Sequence, residues 1–226
     1  MNTWPKGMVV PESVQQFLAA IGREDPVFEL KPDECALLVI DMQNDFILPG
    51  APLEGWNCLE IVPNISMLVE FCREHSIPVF WATDVHSGED MGLLEPMWPR
   101  VGPNSKEKAL VKGTRGAQVY DELPDLLPTE IMIEKHRYSA FYQTDLELHL
   151  RTMNIKTLII TGMHTNICCQ TTARDGFMRD FQIAYVSDAV TSFTKELHQA
   201  GLVDILVAFG RVCDTQQIID ELQVHL

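Results

Sequence analysis

CALLVI (35–40) is six apolar residues in a row, closed by an aspartate, Asp41. The run is too short for a buried helix and shows no alternation, which is the pattern of a strand covered on both faces. Four segments further along are of similar length: PVFWAT (78–83), EIMIEK (130–135), TLIITGM (157–163) and FQIAYVSDA (181–189). Helical spacing of apolar residues falls at 61–75, 144–154, about 167–180 and near 195–208. A segment around 211–213 reads as an edge strand before a last helix. Strand-length apolar runs separated by helices imply an α/β fold, a three-layer α/β/α sandwich with a mostly parallel, Rossmann-like central sheet. Residues 35–226 form that domain. Residues 1–34 are an N-terminal extension with one short helix near 13–21, broken by Pro26 and Pro32. Residues 85–114, rich in Gly, Pro and Met, read as a long irregular excursion, and such loops are often functional.

The 226 residues carry a formal charge of −15 and a sequence pI of about 4.7. Such a field repels phosphate backbones and anionic lipids, so neither nucleic acid nor a membrane surface is expected as a partner. The first ten residues hold one lysine and no long apolar stretch, so no secretory leader is expected. Six scattered cysteines without a CxxC pair fit reduced thiols in a cytoplasm.

Ligands of open parallel sheets bind beyond the carboxyl ends of the strands. That rule gathers Asp41 after the first strand, Asp84 after the second, Lys135 at the end of the third and Cys168 just past the fourth. Neighbouring strands are about 5 Å apart, so these groups can meet. Taken singly, each has an ordinary structural role. Asp41 can cap a turn, Lys135 can belong to a solvated charged cluster, EKHR, and Cys168 can be a small buried hydrophobe. Together they define a candidate site. With Thr165 or Asn166 as N-cap, Cys168 falls in the first helical turn, where the helix terminus and a nearby ammonium are expected to lower its pKa. Cys168 shares a helical row with Thr172, Asp175 and Arg179. Cys169 shares one with Ala173 and Phe177, which assigns Cys169 to the core.

LVIDMQNDF (38–46), KGTRGAQ (112–118), EKHRYSAFYQTDLELHLR (134–151) and ITGMHTNICCQTTARDGF (160–177) together resemble the isochorismatase-like cysteine hydrolase superfamily, which includes nicotinamidases, N-carbamoylsarcosine amidases, ureidoacrylate amidohydrolases and biuret hydrolases. The resemblance implies a catalytic triad of Asp41, Lys135 and Cys168. It also implies a cis peptide at Met163–His164 and an oxyanion hole built from the backbone N–H groups of His164 and Cys168. Phe46, Tyr142 and His164 match substrate-binding positions. The implied reaction is hydrolysis of a C–N bond in a small linear amide, with ureido or carbamoyl compounds favoured, through a thioester and without an organic cofactor. The implied assembly is a homo-oligomer, a dimer or tetramer.

Two related activities and one unrelated role compete with this reading. Isochorismatases proper cleave a vinyl ether and lack the nucleophilic cysteine. Metal-dependent nicotinamidases resemble the chain at Asp84 and His86, but their further histidines have no counterpart in 87–112, so no metal is expected. A binding or redox protein using Cys168 and Cys169 would have no need of Asp41 or Lys135. Arg115 and Arg137 are conceivable carboxylate binders. Gly113 and Gly116 suit a tight turn better than a phosphate cradle.

Overall fold

The computed structural model describes residues 4–23 and 26–226. The described residues form a six-stranded sheet with the order β3-β2-β1-β4-β5-β6, every pairing parallel. Its strands are β1 (Cys35–Ile40), β2 (Val79–Asp84), β3 (Ile131–Lys135), β4 (Thr157–Met163), β5 (Gln182–Thr191) and β6 (Arg211–Cys213). The helices are α1 (Glu12–Ala20), α2 (Asn44–Ile47), α3 (Val62–Glu74), α4 (Leu94–Met97), α5 (Leu146–Thr152), α6 (Gln170–Phe177), α7 (Lys195–Ala208) and α8 (Thr215–Gln223). The strands expected from the apolar runs all form, the expected edge strand included. The excursion at 85–114 is not wholly irregular, since α4 adds one helical turn to it. The single turn α2, directly after the first strand, was too short to leave a periodic signal.

Alternation along the strands sorts their side chains onto two cores. Leu37, Val39, Val79, Trp81 and Ile159 face α3 and α8, with Ile65, Leu68, Ile218 and Leu222 packed on them. Leu38, Ile40, Phe80, Ile160 and Tyr185 face the other way, onto α5, α6 and α7 through Leu146, Ala173 and Leu202. The N-terminal extension packs on both. Leu18 of α1 joins the second core, and Leu30 joins the first.

The strand order reverses direction between β1 and β4, and the crevice at the carboxyl ends there is where this architecture holds its ligands. Two glycine positions shape that end. Gly162, at φ +108°, leaves room for the Ile40 carbonyl, which would lie 1.9 Å from a β-carbon. Gly116 lies against Asp45, whose Oδ1 would be 2.1 Å from one. Its need for glycine is therefore close approach, whereas Gly113, at φ +84°, does serve a turn. The Asp45 and Asn44 N–H groups donate to the Gly116 and Gln118 carbonyls, and Asp45 Oδ2 accepts from the Leu110 N–H. These bonds lock LVIDMQNDF to KGTRGAQ. No helix of the described residues is long and apolar enough to cross a membrane.

Candidate active site

Register alone brings the charged residues together. Asp84 and Lys135 are paired positions on β2 and β3. Asp41 follows β1, and its N–H donates to the Ala82 carbonyl, continuing the ladder. The backbone of Asp41 then turns into the left-handed region at φ +52°, a conformation that aspartate tolerates better than most residues. Gln43 clamps the ends of the two strands: its Nε2 donates to the carbonyls of Asp84 and Ala117, and its Oε1 accepts from the Asp84 N–H. The aspartate and glutamine of the DMQ motif thus do different things, one carrying charge and the other holding it in place.

Lys135, wholly buried, reaches back across β2 so that its Nζ lies 2.8 Å from Asp41 Oδ2 and 3.6 Å from Asp84 Oδ2. Cys168 Sγ and carboxylate oxygens of Asp41 and Asp84 all lie within 4.8 Å of one another. The four residues gathered from strand ends, Asp84 included, are therefore brought together.

Cys168 does not sit in a regular first helical turn. Residues Thr165–Cys169 form a wider π turn flanked by His164, and α6 begins only at Gln170. Neither Thr165 nor Asn166 acts as a side-chain cap. Thr165 bonds His198 Nδ1 through its hydroxyl and accepts from the Tyr185 hydroxyl through its carbonyl, and Asn166 Oδ1 accepts from Ser192. The turn is thus pinned from three sides. The Met163–His164 peptide that enters it is cis. Cys169 points the other way, into the second core, with its Sγ on the Thr161 carbonyl. The polar row Thr172, Asp175 and Arg179 serves a neighbour rather than solvent: Thr172 accepts from the Ala140 N–H, Asp175 from Ser139, and Arg179 donates to Glu147.

Charge inside this cluster corrects one expectation. Burial pushes the Cys168 thiol up, well above its usual range; the Asp41 carboxylate adds to this, and Lys135 only partly offsets it. This runs against the lowered thiol pKa expected from the helix terminus and an ammonium, because burial dominates and that ammonium already faces two carboxylates. Burial likewise raises Asp41 to about 6, against the pull of Lys135. Burial acts on Asp84 too, yet Lys135 and His86 together hold it below its ordinary value. Lys135 is held protonated, since the attraction of Asp41 and Asp84 exceeds its desolvation. Asp41, Asp84 and Lys135 carry one net negative charge between them, and a resting thiolate would make it two.

The cluster opens on a pocket whose lining is mostly apolar. Phe46 and His164 are among the residues that line it. His164, brought to about 3 by burial and then by Lys135, is neutral, and it stacks on Phe193 with ring centres 3.9 Å apart. Tyr142 does not line the pocket: it is 50% exposed in the turn after Phe141. Tyr138 takes that place, its hydroxyl accepting from Trp98 Nε1. Leu94, Trp98, Val101 and Leu110 of the excursion and Phe193 after β5 complete the wall. Sequence reasoning missed these residues, as loops and a single helical turn give no periodic signal.

The donors near the pocket do not fit a catalytic metal. Asp84 Oδ1 and His86 Nε2 face each other at 3.2 Å, two ligands where an open catalytic site uses three. A second histidine does arrive, His136 from the end of β3 rather than from 87–112. It meets Asp90 on the other side of the His86 ring, where Asp90 lies 3.5 Å from His86 Nδ1. There Asp90 already accepts from the Ser87 and Gly88 N–H groups, and His136 Nδ1 lies 2.6 Å from the Val85 carbonyl. Asp41, Asp84 and Cys168 also converge, but the Lys135 ammonium lies against both carboxylates.

A parallel sheet with a buried acid, ammonium and thiol at its switch point defines a class of hydrolase, and comparison with known proteins agrees. Residues 35–217 match the Isochorismatase domain family. The chain is 34% identical to nicotinamidase 3 of Arabidopsis thaliana, over 81% of this chain and 86% of that protein. It is 34% identical to a ureidoacrylate amidohydrolase of Cronobacter turicensis, over 84% and 89%. A crystal structure of a cysteine hydrolase from Pseudomonas syringae pv. phaseolicola superposes with a TM-score of 0.81 at 26% identity, covering 88% of this chain and 97% of that one. The chain belongs to the isochorismatase-like cysteine hydrolase superfamily and is a hydrolase.

Proposed function

We propose that the protein hydrolyses a C–N bond of a small amide, ureido and carbamoyl compounds included, with Cys168 as nucleophile. The observation that carries this reading is the convergence of Asp41, Lys135 and Cys168, all buried, with Cys168 also lining the pocket. Its charge state sets the course of the reaction. The thiol gives its proton to Asp41, a stronger base than an ordinary carboxylate, as sulfur attacks the carbonyl carbon. Moving the proton within the cluster keeps its net charge constant, and Lys135 holds the carboxyl in place. The backbone N–H groups of His164 and Cys168 serve as donors to the developing oxyanion. Asp41 then returns the proton to the leaving nitrogen as the C–N bond breaks. Water attacks the thioester, again giving its proton to Asp41, and the carboxylic acid and the free thiol are released.

A vinyl-ether hydrolase would have no use for a thiol placed against Asp41, and nicotinamide is one of the amides to be tried. The test is ammonia release from nicotinamide, N-carbamoylsarcosine, biuret and ureidoacrylate, with mass spectrometry of the quenched enzyme. We expect an acyl adduct on Cys168 with at least one of them. A folded Lys135→Ala variant of near-normal rate would remove the lysine from the mechanism.

A further inference from the structure

The pocket that receives the substrate offers no free positive charge. Its wall is built from Leu53, Leu94, Trp98, Val101, Leu110 and Phe193, and its polar lining, among the described residues, is limited to Asp84, His86, His164 and Tyr138. His164 is neutral, and the Tyr138 hydroxyl, which accepts from Trp98 Nε1, carries no charge either. Any charge on His86 is already met by Asp84 at 3.2 Å and Asp90 at 3.5 Å. Lys135 is fully buried between Asp41 and Asp84. The arginines of the surrounding segments are turned to other partners: Arg137 donates to the Asp90 and His136 carbonyls, Arg100 to the Pro52 carbonyl, and Arg115 to Asp121.

A carboxylate entering this space would lose its water, meet no cation and face a cluster that is already negative. Burying an unpaired charge is among the most expensive steps available to a protein site. An apolar or neutral group would meet mainly aromatic and aliphatic surface. Resting on the amidase reading above, we infer that the site takes amides whose acyl portion is uncharged and largely apolar, and rejects those carrying a carboxylate. On this point the chain departs from its Cronobacter relative, whose named substrate, ureidoacrylate, is a carboxylate.

Two matched pairs of probes test this on the intact protein. The first is iodoacetamide against iodoacetate at pH 7.5, nearly equal in size, with the rate at Cys168 followed by mass spectrometry and divided by that of a free thiol. We expect the neutral reagent to be favoured about 100-fold beyond the free-thiol ratio. A ratio equal to that of the free thiol would overturn the inference, whatever the enzyme hydrolyses. The second pair is 4-oxopentanamide against succinamate, its anionic isostere, compared by kcat/KM for hydrolysis. A similar preference for the neutral amide supports the inference. Equal hydrolysis of both, or preference for succinamate, sinks it while leaving the amidase reading intact. Hydrolysis of neither, together with no acyl adduct from any amide tried, overturns the amidase reading and the substrate class with it.

Discussion

Two adjacent cysteines test the residue-scale account. Successive residues of a helical turn point in different directions, and here one side chain enters the pocket while the other bonds the Thr161 carbonyl in the core. Cys168→Ser is expected to fold and to lose measurable turnover. Cys169→Ala should keep most of its activity and lose about 1 kcal/mol of stability in thermal or urea unfolding, as for a modest core truncation. An acyl adduct on Cys169 with Cys168→Ser still active would overturn the assignment. The pH profile is the second test. Asp41 must be ionised to act as base, and its pKa is raised to about 6, so protonation removes the base as pH falls through that value. We expect the acid limb of kcat/KM near 6, with one proton taken up, and no limb from His164, which stays neutral down to about 3. A limb near 4, where an unperturbed carboxylate titrates, would mean that burial of Asp41 does not govern its affinity for protons.

At the scale of elements, the carboxyl ends of β1, β2 and β3 were legible because each apolar run ends on a charged or polar residue, and the sheet rule does the rest. The pocket wall was not. Leu94, Trp98, Val101 and Leu110 come from a stretch with no periodicity, and Tyr138 and Tyr142, four residues apart in one loop, cannot be told apart without its path. The π turn was also hidden, since TNICC reads equally well as the first turn of an ordinary helix. Gly116 offers a test of how the segments lock. A β-carbon there would meet Asp45, which anchors Leu110 at the pocket wall. Gly116→Ala should cost about 1–3 kcal/mol by overpacking and raise KM more than it lowers kcat. Wild-type stability and KM would show that Asp45 can move aside freely.

Across the whole molecule, the order of the strands explains why so few polar residues suffice. The reversal between β1 and β4 leaves one crevice, and the charged ends of β2 and β3 lean toward it from one side while the turn after β4 faces them from the other. On the proposed mechanism the protein supplies its own nucleophile, base and cation there, and the donors beside the pocket fall short of a catalytic metal set. Activity is therefore expected to survive exhaustive treatment with EDTA. Loss of turnover on chelation, restored by zinc, would make Asp84 and His86 ligands and bring His136 into question as a third.

The burial of Cys168 has a consequence for durability. All six cysteines are buried, and Cys168, the proposed nucleophile, has its thiol pushed well above the usual range by burial, which favours the thiol over the thiolate. Peroxide and disulfides react with thiolates that they can reach, so a hydrolase built this way carries its reactive atom largely outside redox chemistry. It should keep its activity through a challenge with hydrogen peroxide or oxidised glutathione that consumes an equal concentration of free cysteine, and it should need no reductant in storage. Rapid inactivation with sulfinic acid on Cys168 would show that the thiol is more ionised and more accessible than its surroundings imply.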